Sequence, residues 1–223
     1  MRRLAAGLAL LAALAGCTTG PGYGREREIA PTANPSAVVA TELAFARAAQ
    51  EKGQWTAFRE FAAKDAVMFV PGPVKAQDWL KEQANPAQAV RWQPHMVWSS
   101  CDGSLAVTKG AWQRPNGTVG YFTTVWQRQD DGSYKWVLDQ GDVLDEPMAE
   151  PEMIAATVAD CQSPVRPPVI ARVPLPTDPV GKSRDGTLTW TVSLEADRSR
   201  TFGVEYWDGT TWQTAISQRI PAQ

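Results

Sequence analysis

Few side chains in this sequence are of the types on which catalysis usually depends. The chain has one histidine, His95, with no acid or nucleophile beside it to form a triad, so we interpret it as a hydrogen-bonded or exposed residue. Residues 181–183 contain the Gly-Lys-Ser of a phosphate-binding loop, but Pro176 takes the place of its earlier glycine. The acidic residues of 139–146 lack the spacing of a calcium loop. The sequence therefore predicts no metal site and no cofactor.

The overall composition narrows the function further. The 223 residues include 24 acidic and 22 basic side chains, and no segment is dominated by lysine or arginine. That balance lacks the positive field that nucleic acid requires, so we predict no nucleic-acid partner. With 43% hydrophobic residues, the chain can bury one domain-sized core. One globular domain with a modest appendage is the expected organisation.

The first residues predict export and a lipid anchor. Two arginines precede an apolar run at 4–14, which is too short to span a bilayer and is typical of a signal peptide. The run ends in Leu-Ala-Gly-Cys at 14–17, which resembles the bacterial lipobox, in which Cys17 receives a diacylglycerol and residues 1–16 are removed. Ordinary secretory cleavage is the alternative. The resemblance implies a periplasmic protein held to a membrane through Cys17, and Thr18 after the cysteine favours the outer membrane.

The rest of the chain divides at its Gly-rich and Pro-rich stretches. Residues 17–35 are interpreted as a flexible tether, and a compact domain is expected over 36–161. A Pro-rich connector is predicted for 162–186 and a small β meander for 187–223. A meander of this size is unstable alone, so we expect it to pack on the domain or on a partner.

Apolar residues at helical spacing predict the helices of the domain. The first helix is expected from Ser36, as its N-cap, to Gly53, and the second over 55–61. Shorter elements are predicted further along the chain: a strand over 66–70, a helix over 76–83 and a helical stretch over 153–159.

From residue 91 the hydrophobic period changes to two, which is typical of strands. Asp-Gly or Asn-Gly pairs predict three hairpins, at 102–103, 116–117 and 131–132. The antiparallel strands that they join are expected over 91–99, 105–114, 118–129 and 134–143.

The register of this meander decides which side chains share a face. Loops of two or four residues pair Arg114 with Val119 and Gln129 with Tyr134, whereas a three-residue loop would break that register. The predicted rows on one face are Trp112 with Tyr121 and Asp142, Gly110 with Thr123 and Gln140, and Thr108 with Val125 and Leu138. The opposite face is predicted to carry Lys109, Phe122, Thr124, Trp126, Val137 and Asp139.

The tail repeats the alternating pattern of apolar and polar residues. Strands are expected around 188–196 and 202–206, followed by a turn at 208–210. A three-residue loop there would pair Tyr206 with Trp212, Val204 with Thr214 and Phe202 with Ile216.

Six segments resemble the nuclear transport factor 2-like superfamily, which includes ketosteroid isomerases and polyketide cyclases. The residues at 45–49, 57–61 and 65–73 resemble the opening of its branch called domain of unknown function 4440. Those at 120–128, 131–133 and 136–139 resemble its closing hairpin. The resemblance implies an α+β fold: a cone-shaped, curved antiparallel sheet with N-terminal helices, to which this chain adds a small C-terminal β meander.

The resemblance also suggests where chemistry could take place. The superfamily's isomerases use a carboxylate base and a hydrogen-bonding oxyanion donor inside the cone. This implies Asp142 or Asp139 as the base and Tyr121 as the donor. The alternative is that Tyr121 packs against Trp112 as a cross-strand pair and that Asp142 marks a strand end.

Our leading interpretation of the sequence is a lipid-anchored periplasmic protein that binds a small, largely apolar ligand without catalysis, or supports an envelope assembly. An isomerase- or cyclase-type enzyme and a purely structural interaction protein are the alternatives, and a homodimer is compatible with each. The residues expected to contact the ligand are Trp112, Tyr121, Thr123, Val125 and Leu138.

The remaining two cysteines predict a disulfide. If Cys17 carries lipid, Cys101 and Cys161 are left as an even pair in an oxidising compartment, where such a pair tends to join. The alternative is two separate buried thiols. A bridge between them would hold the start of the connector against the sheet.

Overall fold

The structure, a computed structural model, describes residues 32–166 and 179–222. Cys17, the predicted signal segment and most of the predicted tether lie outside the described residues. Among the helices described, none is both long enough and apolar enough to cross a membrane.

The first part of the described chain contains three helices. They are α1 (Pro35–Lys52), α2 (Gln54–Phe61) and α3 (Ala76–Lys81). The predicted N-cap at Ser36 is wrong, because Asn34 has that role: its side-chain oxygen accepts a 3.1 Å hydrogen bond from the Ala37 amide. Pro35 then occupies the first helical position, where its missing N–H costs nothing. Gly53 ends α1 with a φ of 97°, a value that favours glycine.

A seven-stranded sheet, called the large sheet below, forms the centre of the molecule. Its order is β2-β1-β6-β5-β4-β3-β7, and β1 with β6 and β3 with β7 are parallel pairs in an otherwise antiparallel sheet. Its strands are β1 (Ala62–Phe69), β2 (Pro73–Lys75), β3 (Arg91–Ser99), β4 (Leu105–Gln113), β5 (Val119–Arg128), β6 (Tyr134–Leu144) and β7 (Ala155–Val158).

Strand β7 corrects one prediction. Residues 153–159 were expected to be helical, but Ala155–Val158 forms a strand paired with Met96–Ser99 of β3. The free edge of β3 offers backbone hydrogen bonds to this segment, and the β-branched Thr157 and Val158 suit an extended chain. Tertiary pairing therefore outweighs the weak local helix signal.

The tail forms a second sheet, called the small sheet, in the order β11-β10-β9-β8. Its strands are β8 (Val180–Lys182), β9 (Leu188–Leu194), β10 (Arg200–Trp207) and β11 (Trp212–Ile220). Strand β8 lies inside 162–186, so that segment is not an extended connector throughout. The predicted β10–β11 register is also wrong. Trp207, not Tyr206, pairs with Trp212, and a bulge after Val204 shifts the pairing by one more residue, so that Val204 pairs with Ile216.

The large sheet is covered on both faces, as the mixed polarity of its strands suggests. On the helix side, Val97, Ala106, Trp126 and Trp136 join the core formed with α1, α2 and α3. On the other side, Val107, Val125 and Leu138 join a core shared with the small sheet. The predicted α+β class, with N-terminal helices, a large sheet and a small C-terminal sheet, is therefore confirmed.

The β4–β5 turn changes the predicted register. Arg114 N donates to Thr118 O at 2.8 Å and Gly117 N to Arg114 O at 2.9 Å, which closes a three-residue loop with Gly117 at a φ of 88°. Trp112 consequently pairs with Gly120 rather than with Tyr121, and Gln113, not Arg114, pairs with Val119. The shift of one residue moves Thr108, Gly110 and Trp112 to the helix side, and Lys109 to the small-sheet side.

The β5–β6 turn is also a three-residue loop, yet most of the predicted pairing remains. Near the turn Arg128, not Gln129, pairs with Tyr134. A bulge between Val125 and Trp126 then restores the expected partners, so that Tyr121 pairs with Asp142 and Thr123 with Gln140.

A disulfide joins Cys101 to Cys161, the pair that the sequence predicts, with 5.2 Å between their Cα atoms. The neighbouring backbone contacts the small sheet on both sides of the bridge. Cys101 N donates to Thr187 Oγ1 at 3.0 Å, and Asp160 N donates to Trp207 O at 2.8 Å. The disulfide therefore lies where the two sheets meet.

Candidate functional site

A cavity of about 580 Å³ lies on the helix side of the large sheet. It is bounded by α1, α2 and the strands β1, β3, β4, β5 and β6. Its wall carries many aromatic side chains, including Phe45, Trp55, Phe58, Trp92, Trp112 and Phe122.

The aromatic wall is held together by ring contacts. Phe45, from the buried stripe of α1, packs edge to face on Phe58 and on Trp92, each with ring centroids 4.8 Å apart. Trp112 Nε1 donates a 2.8 Å hydrogen bond to Tyr121 O, which fixes the orientation of its indole. These contacts give the cavity preformed walls of rigid rings.

Gly120 makes room for the Trp112 ring. Trp112 lies across the strand pair at Gly120, and a Cβ placed on this glycine would collide with both the Trp112 ring and the Asp142 carbonyl oxygen. The close approach of ring and backbone therefore requires glycine at this position.

Asp139 is an acidic residue of the cavity lining, on the inner strand β6. The Thr124 hydroxyl donates a 2.8 Å hydrogen bond to Asp139 Oδ2. Burial raises the pKa of Asp139 to about 7, the negative charge of Glu42 acts in the same direction, and the Thr124 hydrogen bond opposes both. Asp139 thus carries a carboxyl group that can exchange a proton near neutral pH.

Glu42 is a second buried carboxyl group, behind the wall. Its Oε1 accepts from Trp92 Nε1 at 2.8 Å, and its Oε2 accepts from the Thr108 hydroxyl at 2.6 Å and from Trp126 Nε1 at 3.0 Å. Burial nevertheless raises the pKa of Glu42 above its usual value. These bonds attach α1 to three strands of the sheet.

Sequence reasoning missed Glu42, although a signal was present. Glu42 follows Val38 by four residues and precedes Phe45 by three, so it lies on the buried stripe of α1. A glutamate in that stripe needs buried donors, and two tryptophans and a threonine provide them.

The structure separates the predicted site residues. Trp112 and Asp139 line the cavity, and Asp142 borders it at the end of β6. The others face the small sheet: Val125 and Leu138 are fully buried in the shared core, and the hydroxyl of Thr123 donates to Gln218 Oε1 at 3.3 Å.

Tyr121 also lies on the small-sheet side, away from Asp139. It is paired with Asp142 across β5 and β6, and the Lys109 ammonium lies 5.6 Å from its ring centroid. Burial and the charge of Asp142 raise the pKa of Tyr121 to about 12, against the influence of Arg200. Tyr121 and Asp139 therefore cannot act together on one ligand in the cavity.

Arg200, on strand β10 of the small sheet, lies near Tyr121 and Asp142. Its guanidinium lies 4.3 Å from the Phe69 ring centroid and donates to Gln140 Oε1 at 3.4 Å and to Gly141 O at 3.3 Å. Burial lowers the pKa of Arg200, and Tyr121 and Asp142 oppose that shift. These contacts join the two sheets.

His95 and Arg114 differ in their position relative to the cavity. His95 is buried in β3 outside the cavity lining, and its burial lowers its pKa. Arg114 is exposed at the cavity entrance, with its guanidinium 5.1 Å from the Trp112 ring centroid. Over 32–166 and 179–222, no group of three or more His, Cys, Asp or Glu side chains is arranged to hold a metal ion.

Comparison with known proteins finds similarity to solved structures only. No family model matches the sequence, and no curated protein matches it. A structure described as a candidate ketosteroid isomerase from Parabacteroides distasonis is 16% identical, with a TM-score of 0.41, over 51% of this chain and 96% of that chain. Another, described as a candidate aromatic ring hydroxylase from Novosphingobium aromaticivorans, is 17% identical, with a TM-score of 0.39, over 51% of this chain and 91% of that chain. Each resembles half of this chain, and neither assigns it an activity.

Proposed function

We propose that this protein binds a small, largely apolar molecule in the cavity on the helix side of the large sheet. The observation that supports this is the cavity itself, about 580 Å³ of space within walls that carry many aromatic rings. That volume falls within the range of small-molecule pockets, roughly 300 to 1,000 Å³. Flat or branched hydrocarbon groups suit such walls because they gain contact with the ring faces and leave water.

The sequence supports the further proposal that the protein is attached to a membrane. The Leu-Ala-Gly-Cys motif after the apolar run suggests that Cys17 carries lipid and that the protein lies in the periplasm, at the outer membrane. Incorporation of labelled palmitate into the wild type and its loss in Cys17→Ala would support the anchor. Equal labelling of both proteins would refute it.

Binding can be tested with naphthalene as a neutral aromatic probe. We expect naphthalene to raise the melting temperature of the full-length protein and to change its tryptophan fluorescence, since Trp55, Trp92 and Trp112 line the cavity. Both effects should saturate together as the naphthalene concentration rises.

A pair of valine substitutions provides the control. Val143 borders the cavity and is 48% exposed, whereas Val158 lies on β7, outside the cavity lining, and is 43% exposed. Val143→Trp should obstruct the cavity and weaken naphthalene binding, and Val158→Trp should not. Absence of binding in the wild type, or equal binding by both variants, would reject the proposal.

A second candidate function is proton transfer by an isomerase- or cyclase-type enzyme. The observation that favours it is the Asp139 carboxyl group, which faces the cavity and has a pKa of about 7. Tyr121 is not its partner, and one uncharged donor at the wall is the amide of Gln54, whose side-chain oxygen accepts from Val90 N at 3.0 Å. In deuterated water, the enzyme should replace a hydrogen on the carbon next to the carbonyl group of a bound ketone by deuterium. Deuterium incorporation by the wild type and its loss in Asp139→Asn would establish this function.

A further inference from the structure

We propose that the ligand of this cavity is an organic cation, whose charged nitrogen lies against the carboxylate of Asp139 and whose apolar body contacts the surrounding rings. This inference rests on the proposed binding function and names the chemical class of the ligand. It follows from the acidic character of the cavity interior and from the way the wall leaves Asp139 unpaired.

One oxygen of Asp139 has no hydrogen-bond partner within residues 32–166 and 179–222. Oδ2 accepts from Thr124, whereas no group in the described part of the chain donates to Oδ1, and Asp139 forms no ion pair there. Asp139 nevertheless lines the cavity, so a donor carried by a ligand can reach it. A buried carboxylate requires a donor or a cation, and here the ligand is the group that can supply it.

The register of the sheet explains why no lysine neutralises Asp139. Thr108, Thr124 and Asp139 form one row across β4, β5 and β6 on the helix side. A shift of one residue would place Lys109 in this row, but the three-residue loop turns Lys109 to the small-sheet side, beside Tyr121. The polar row thus contains two hydroxyls and a carboxyl, and its far end contacts Glu42 through Thr108.

The charges around the cavity favour a cation. Asp139 and the nearby Glu42 are both acidic, and the negative charge of Glu42 disfavours ionisation of Asp139. Among the lining residues, Asp139 and Asp142 are acidic and Arg114 is basic, and Arg114 is exposed and lies over the Trp112 ring. A ligand cation bound at Asp139 would therefore stabilise the ionised form of a buried carboxyl group.

The aromatic wall adds a second source of attraction. Ring faces attract cations through their quadrupole, most strongly for indole, and quaternary ammonium groups are bound in this way by aromatic cages. Phe45, Phe58, Trp92 and Phe122 line the same cavity as Asp139. A carboxylate together with several rings suits an alkyl- or aryl-ammonium ion better than a sugar or an anion.

The test compares two probes of the same shape. Phenyltrimethylammonium and tert-butylbenzene differ by one nitrogen in place of one carbon and by one positive charge. For the full-length wild type at pH 8, where Asp139 is ionised, we expect the cation to bind about tenfold more tightly than the hydrocarbon. Equal or weaker binding of the cation overturns the inference, while binding of naphthalene would still support the proposed function.

Charge removal provides the matched comparison. Asp139→Asn should reduce the affinity for phenyltrimethylammonium by about tenfold and change that for tert-butylbenzene by less than about twofold. Asp78→Asn, at an exposed position of α3, should change neither. An unchanged cation affinity in Asp139→Asn overturns the inference.

A measurement on the wild type alone gives an independent answer, which matters if Asp139→Asn folds poorly. Because the pKa of Asp139 is about 7 in the free protein, a cation beside it should release a proton on binding at pH 7. Calorimetry in two buffers of different ionisation enthalpy measures this release. Cation binding without proton release contradicts the placement of the nitrogen at Asp139, and release supports it.

Discussion

The hydroxyl of Thr124 donates a 2.8 Å hydrogen bond to Oδ2 of Asp139 across strands β5 and β6. This bond orients the carboxyl group, which lines the cavity, and occupies one of its two oxygens. Both residues belong to inner strands of the large sheet, so the position of the carboxyl is set by paired backbone on both sides.

Thr124→Val should raise the pKa of Asp139 further, since the hydroxyl bond stabilises the ionised form. The substitution preserves shape and should lower the free energy of unfolding by about 1 kcal/mol. Thr123→Val is the matched control: Thr123 is equally buried, but it faces the small sheet. A carbon-detected titration of the Asp139 carboxyl measures the pKa, and an equal shift in both variants would contradict the assigned bond.

Asp139 should make stability depend on pH in a specific direction. Its pKa is raised from 3.8 to about 7 in the folded protein, so the folded state binds the proton more tightly. The stabilisation is complete below pH 3.8 and is lost as the pH rises through about 7, with a slope of at most about 1.4 kcal/mol per pH unit. Asp139→Asn should flatten this slope in urea unfolding curves.

Asp131→Asn is the control for that pH dependence. Hydrogen bonds from Ser133 lower the pKa of Asp131, so its contribution is present above pH 3.8 and is lost only below that value. Between pH 5 and pH 7 its stability profile should therefore have the same slope as that of the wild type, displaced by a constant amount. If the Asp139→Asn profile also kept the wild-type slope over that interval, Asp139 would not have the raised pKa.

Gly120→Ala should destabilise the fold, because the added methyl group meets the Trp112 ring and the Asp142 carbonyl. Overpacking of this kind costs about 1 to 3 kcal/mol, and displacement of Trp112 should also alter naphthalene binding. Gly72→Ala is the comparison, since nothing lies within 4 Å of the Cβ that would be added there. Chemical denaturation of both variants measures the difference, and equal midpoints would contradict the close approach.

Glu42→Leu should also be destabilising, although it replaces a buried charge with an apolar group. The substitution leaves Trp92 Nε1 without its acceptor, at about 1 to 3 kcal/mol for a buried donor. Trp126 Nε1 keeps Thr108 Oγ1 as an acceptor at 3.0 Å, and the Thr108 hydroxyl keeps only a 3.5 Å contact with Thr124 O. Glu42→Gln keeps one acceptor and should lose less. Glu51→Leu, at an exposed position of the same helix, should change the unfolding free energy little, and a similar loss in Glu51→Leu would show that helix composition is the cause.

The sequence predicts the elements better than their pairing. Alternation predicts each end of the four meander strands to within one residue, and it predicts both ends of β3 without error. The turns that join these strands contain Gly, Asn or Asp, which mark where a strand stops. The register depends on whether a loop has two, three or four residues. At 114–118 the Pro-Asn-Gly loop takes the three-residue form with a glycine at positive φ, which the dipeptide Asn-Gly alone does not specify.

The one-residue difference in register changes which predicted site residues lie in the cavity. With Arg114 paired to Val119, Trp112 and Tyr121 share a face and form a plausible ligand surface; with Gln113 paired there, Trp112 joins Asp139 on the helix side and Tyr121 faces the small sheet. Glu42 was beyond the strand analysis altogether, since its partners come from β3, β4 and β5. Long-range contacts of this kind have no local signature in the sequence.

The disulfide should contribute strongly to the stability of the two-sheet arrangement. Cys101 and Cys161 are 60 residues apart, and closing a loop of that length stabilises a fold by about 4 kcal/mol on the chain-entropy model. The Cys101→Ala/Cys161→Ala protein should therefore unfold at a lower urea concentration than the wild type. The loss should be larger for probes in the small sheet, because Thr187 and Trp207 accept hydrogen bonds from the backbone beside the two cysteines. Fluorescence of variants in which the tail tryptophans are replaced one at a time can follow that sheet separately.

Reduction with dithiothreitol should lower the wild-type midpoint to that of the double variant and leave the double variant unchanged. If reduction has no effect on the wild type, the two thiols do not form a bridge that contributes to stability.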